Sequence, residues 1–155
     1  MKPTAAAGNP RATGGGTFEE ENFSGELGTS TLTFNAIEHN GSVSGHLEHQ
    51  FRGANFTHQA KIDCLAITEN QAVIGGHISK VETITFPDNS TLAIPEGTQV
   101  VFAVEDNGEG MGATPDRVSD VRVDVIFEGP DCHAPGSIPS ETPRHPISGN
   151  IQVQA

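Results

Sequence analysis

The sequence predicts an all-β domain, a small antiparallel barrel of about eight strands, with a β-sandwich as the alternative. Three observations predict it. Ile and Val number 11 each, Thr 14 and Phe 8, against only 5 Leu; β-branched and aromatic side chains favour a pleated surface. Apolar and polar residues alternate in several short runs, the period of a half-buried strand. Turn residues punctuate those runs at short spacing, and no stretch carries a convincing helical period. A chain of 155 residues is one domain's worth, long enough to bury a single core.

The elements follow in chain order. Residues 1–12 are rich in Pro, Ala and Gly and read as a flexible arm, so the domain is assigned to 13–155. A first strand is expected near Thr17-Phe18. Thr31 to Ala36 alternates, with Leu32, Phe34 and Ala36 on one face. Asn40-Gly41 is a strong hairpin signal. Ser42 to Phe51 is the next strand, with Val43, Leu47, His49 and Phe51 sharing a parity. Phe56 to Ile67 follows, with His58, Ala60, Ile62, Cys64 and Ala66 on one face, and Ala72 to Val81 returns. Residues 82–97 read as a small inserted hairpin. Gln99 to Glu105 is strongly apolar, and a long loop runs from Asp106 to Pro115. Val121, Val123, Val125 and Phe127 give the cleanest alternation. Five prolines between 129 and 146 predict an irregular crossing, and Gly149 to Gln154 is the last strand. A barrel requires the first strand to pair with the last.

Charge excludes several partners. Eight Lys+Arg stand against 20 Asp+Glu, a net charge of −12. Binding a nucleic-acid backbone needs clustered cations, and an anionic membrane repels such a surface. No run approaches a membrane span. Two cysteines, Cys64 and Cys132, are too far apart for a CxxC motif. They read either as one structural disulfide, which requires an oxidising compartment, or as two inert thiols.

A string of short motifs adds to this. Ala12-Thr13-Gly14-Gly15-Gly16-Thr17-Phe18, Thr33-Phe34-Asn35-Ala36 and Gly45-His46-Leu47-Glu48 come first. Ile62-Asp63-Cys64-Leu65-Ala66-Ile67 and Ala72-Val73-Ile74-Gly75-Gly76 follow. Val104 to Gly110, Asp116-Arg117 and Gly149 to Val153 close the order. In this order the chain, from about residue 12 to its end, resembles the post-COAP domains of bacterial exported and surface proteins. The resemblance implies a bacterial, secreted or cell-surface, all-β domain whose leader is absent from this chain. It implies no catalytic residues.

Five constellations could carry chemistry. The acidic loop offers Glu105, Asp106, Asn107, Glu109, Asp116 and Asp120 around a glycine-rich turn, the oxygen-rich set that Ca²⁺ takes. Its spacing is not that of an EF-hand, and a solvated acidic turn is the plainer reading. His46, His49, His58 and His77 suggest a transition-metal site, but His46 and His49 have opposite strand parity. His49 and His58, beside Phe51 and Phe102, could instead line an apolar interior and act as acid and base on a small apolar ligand. The absence of Trp and Tyr removes the usual sugar-stacking platform, leaving only a polar groove for such a role. The arm reads as a tether, or as a strand added to a neighbour's open edge. The expectation is therefore a non-catalytic exported surface or structural domain, with one Ca²⁺ in the 105–120 loop and a self-association or cell-surface partner. The rivals are an isomerase- or cyclase-like barrel enzyme, or ligand binder, using His49 and His58, and a filament subunit assembling by strand addition.

Overall fold

In the computed structural model every regular element is a strand. The structure describes residues 9–21, 27–51, 56–80, 82–85, 88–108, 114–119, 122–124 and 144–154. The strands are β1 (Arg11–Glu21), β2 (Leu27–His39), β3 (Ser42–Phe51), β4 (Phe56–Thr68), β5 (Gln71–Ile78), β6 (Glu82–Thr85), β7 (Thr91–Ile94), β8 (Gln99–Glu105), β9 (Arg117–Ser119), β10 (Arg122–Asp124), β11 (Arg144–Pro146) and β12 (Ser148–Gln154). The main sheet runs in the order β11-β9-β8-β5-β4-β3-β2-β1-β12, and β10 joins β8 beside this path. Strands β6 and β7 form a separate two-stranded sheet, as the inserted hairpin predicts. The result is a nearly closed antiparallel barrel. The first strand pairs with the last, Arg11–Thr17 against Gln154–Ser148.

Local chemistry sets the hairpins. Asn40 and Gly41 both have positive φ, 52° and 82°, which a tight two-residue turn between right-twisted strands demands. At the β6–β7 turn Ser90 donates its backbone N–H and its hydroxyl to Asp88 at 2.9 and 2.5 Å. The hydroxyl bond, then the backbone bond, hold the Asp88 carboxyl below its ordinary pKa.

The predicted alternation fills the lumen. Leu32, Phe34, Ala36, Leu47, Ala60 and Ile62 are buried on the inner faces of β2, β3 and β4. Opposite them stand Ile74, Phe102, Val104 and Ile151, all at or near zero exposure. Phe34 and Phe102 meet edge-to-face at 5.3 Å and 79°, so side chains from the β2 and β8 walls touch across the barrel.

Some expectations need correction. The inner face of β4 does not continue through Cys64 and Ala66. The β4–β5 register shifts between Ile62 and Cys64; the extra residue rotates the strand, and Leu65 turns inward instead. Ordered strand begins at Arg11 with Ala12 fully buried, so the sheet takes in the last two residues assigned to the arm. The end of the proline-rich crossing is not irregular. Residues 144–146 form β11, where Pro146 is tolerated because β11 ends the sheet. Of the 121–127 alternation only 122–124 is described, as β10; the rest lies outside the described residues.

Closure of the barrel rests on carboxylates. β12 has β1 on one side and, among the described residues, no strand in ladder register on the other. Its outward N–H groups find Asp116 and Asp106 instead. Asp116, 6% exposed, accepts Ile151 N–H on Oδ2 at 2.8 Å and Asn107 N–H on Oδ1 at 2.8 Å. Its backbone carbonyl accepts Ile147 N–H at 2.9 Å. Asp106 accepts Val153 N–H at 3.1 Å and Gly108 N–H at 3.0 Å. Hydrogen bonds to a buried carboxylate contribute about 1.5–3 kcal/mol each. Asp116→Ala is therefore expected to lower the unfolding free energy by about 3 kcal/mol in a urea titration, and Asp106→Ala by about 1 kcal/mol. Equal, small losses for both would contradict this seam.

Candidate functional site

The acidic loop is brought together, but as a clasp. Besides the seam bonds, Glu105 accepts Gln71 Nε2–H on Oε1 at 3.3 Å and Asn107 Nδ2–H on Oε2 at 3.1 Å. Arg117 Nε lies 3.9 Å from the same carboxylate. Asn107 also donates to the Pro115 carbonyl at 2.8 Å, and its Oδ1 accepts from Asn70 at 3.2 Å. The oxygens proposed as calcium ligands thus point at N–H donors on several strands rather than at a common centre. Among the described residues no group of three or more His, Cys, Asp or Glu is arranged to hold a metal ion. Glu109 and Asp120 lie outside the described residues. So does Cys132, the proposed disulfide partner; Cys64 is half-buried on β4 and is not a free thiol.

The histidines separate by strand parity. His46 is exposed on the outer face of β3, while His49 is 2% and His58 4% exposed within the barrel. His49 and His58 are direct cross-strand partners, with ring centroids 5.4 Å apart. His77 lies elsewhere, paired with Asp63 at 2.6 Å on the outer surface.

The structure gathers further residues around the inner pair. His49 Nε2 lies 3.1 Å from Ser30 Oγ, which is fully buried. Phe18 stacks on His49 at 6.1 Å and on His145 at 5.8 Å. His58 Nδ1 lies 2.5 Å from Glu82 Oε2, and Glu82 Oε1 accepts the backbone N–H of Gln59 at 2.7 Å. Glu82 thus latches the β6–β7 hairpin to β4, while Ile84 and Ile94 bury the hairpin's apolar side. Ser30 had a sequence signal, since it shares the parity of Leu32 and Phe34. Glu82 had none, because only the tertiary fold carries the hairpin to His58.

A third feature lies on the outer face. A groove of about 520 Å³ crosses β2, β3 and β4. Two cross-strand rows line it: Asn35, His46 and Lys61, and Thr33, Glu48 and Gln59. The backbone is irregular here. Gly45 has φ 150°, and a Cβ at that position would lie 1.8 Å from the Asn35 carbonyl oxygen, so only glycine fits. Asn35 Oδ1 takes the backbone N–H of His46 at 2.8 Å. These outward rows are polar, the reverse of a lipid-facing barrel wall.

Compared with protein-family models, with curated proteins and with solved structures, the chain matches none.

Removing the Glu82 latch tests the inner cluster. Glu82→Ala leaves the buried His58 ring and the part-buried Gln59 N–H without this partner and is expected to cost about 2 kcal/mol of stability in urea unfolding. Glu82→Gln keeps one acceptor oxygen and is expected to cost about half as much. Identical stabilities for both variants and the parent would show that the latch contributes nothing.

Proposed function

We propose that this chain is a non-catalytic surface or structural module of an exported bacterial protein. The filled lumen carries the reading. Phe34 and Phe102 meet across it, and one continuous apolar cluster joins β1, β2, β3, β4, β5, β8 and β12. A small-ligand site needs a cavity of several hundred Å³, and mid-barrel that space holds side chains. The ordered motif string, which resembles that of post-COAP domains, supports export and bacterial origin. Calcium is left out of the proposal, because Asp106 and Asp116 serve the seam. Strand addition is left out as well, since Asp116 and Asp106 occupy the outward N–H groups of Ile147, Ile151 and Val153.

A second reading has one observation in its favour. His49, His58 and Ser30 are buried together at one end of the barrel, with the half-buried Glu82 against His58. Two histidines and a carboxylate brought to one place are groups that acid–base chemistry uses. In an isomerase- or cyclase-like enzyme His58, oriented by Glu82, would move a proton while His49 and Ser30 polarise the ligand.

One titration separates the two readings. An apolar naphthalene-sulfonate dye is added to the full chain, and fluorescence and the His49 and His58 ring resonances are followed by NMR. A surface module shows neither saturable enhancement nor ring shifts. Saturable one-to-one binding that moves both rings contradicts it and favours the enzyme. A further expectation concerns the loop: excess EDTA leaves the thermal midpoint within about 1 °C of the untreated protein, whereas loss of a structural ion would lower it by about 2–4 °C for each kcal/mol of stabilisation lost.

A further inference from the structure

We propose that the outer groove across β2, β3 and β4 binds a hydroxyl-rich ligand, a short neutral oligosaccharide. This goes beyond the module reading and does not depend on it.

The argument starts from charge. The chain carries 20 acidic residues against 8 basic ones, so an exposed lysine has many chances to find a carboxylate. Lys61 is exposed on β4, and Glu48 is exposed diagonally opposite on β3. Among the described residues neither forms an ion pair or a side-chain hydrogen bond. They sit on neighbouring strands in the groove without closing it. Beside them lie Gln59, the cross-strand partner of Glu48 on β4, Thr33, its partner on β2, and His46, the partner of Lys61.

This set donates and accepts in nearly equal measure. The ammonium only donates, the carboxylate only accepts, and the amide, hydroxyl and imidazole do both. A sugar hydroxyl is also donor and acceptor at once, and neighbouring hydroxyls on a ring engage such a mixture pairwise. A purely anionic ligand would meet Glu48, and a purely cationic one Lys61, so both signs in one groove select against a net charge. The dimensions agree. From β2 to β4 is two strand spacings, about 9.6 Å, the width of one sugar ring with its substituents. A volume of 520 Å³ accommodates two to three rings and falls within the range of ligand sites.

The groove is also built rather than incidental. The carbonyl of Asn35 can approach β3 only because residue 45 is glycine, and the Asn35 side chain takes the His46 N–H. His46 lines the groove and is exposed, so its imidazole is a small flat surface in a chain without Trp or Tyr. Weak, millimolar binding is the expectation, since the large aromatic platform is missing.

The test uses the isotopically labelled full chain, mapped by backbone-amide shifts. The probes are cellotriose, maltotriose and chitotriose, with a Glu- and Lys-containing pentapeptide as the competing occupant. At least one sugar is expected to give saturable shifts at residues 33, 35, 46, 48, 59 and 61. Glu48→Ala and Lys61→Ala, both on the exposed face, are expected to keep the parent thermal midpoint and weaken that binding at least tenfold. The proposal is overturned if no sugar gives saturable shifts, if the shifts map elsewhere, if both variants bind as the parent does, or if only the peptide binds. Each of these outcomes leaves the filled lumen, and the reading drawn from it, untouched.

Discussion

The structure depends on how its last strand is finished. An antiparallel sheet that curls toward a barrel must join two edges, and here the edges do not join as a continuous ladder. β12 receives side-chain carboxylates where a neighbouring strand would supply carbonyls. Asp116 is the centre of this joint. Its two oxygens hold β12 and the start of the 107 loop, and its carbonyl holds the chain entering β12. A buried carboxylate is costly unless N–H groups surround it, and the unfinished edge supplies them. The two deficits cancel. With its outward N–H groups engaged, the β12 edge is a poorer template for pairing with a second chain.

Closure then divides the molecule by chemistry. The middle of the lumen is apolar and filled, which gives rigidity. One end is polar, where His49, His58, Ser30 and Glu82 form buried pairs that tie the β6–β7 hairpin to the wall. The outer face of β2, β3 and β4 is polar and concave, and there Lys61 and Glu48 both line a cavity. A module that meets other molecules through its outside rather than its inside fits this division.

Much of the fold was legible because period-2 patterning is a direct consequence of strand geometry. Leu32, Phe34 and Ala36 announced their shared face, Asn40-Gly41 its turn, and residues 82–97 their separate hairpin. The opposite orientation of His46 and His49 followed from parity alone. The bulge after Ile62 was not legible, since one inserted residue changes the face without changing the composition. The acidic loop was found but its role was not. Carboxylates close in sequence suggest a cation, whereas the β12 donors that claim Asp116 and Asp106 lie 35 and 47 residues further along the chain. Glu82 escaped for the same reason: its partner, His58, is 24 residues away.

The central claim is that side-chain carboxylates stand in for a missing strand at the edge of β12. Amide hydrogen exchange at Ile151 and Val153 tests it most directly. The account predicts that both amides exchange slowly in the parent protein, in step with the core amides of β8. It predicts that Asp116→Ala, which removes both carboxylate oxygens, selectively accelerates Ile151 while the β1–β12 ladder amides at Asn150 and Gln152 stay protected. Rapid exchange at Ile151 and Val153 in the parent, at the rate of an open strand edge, would contradict it.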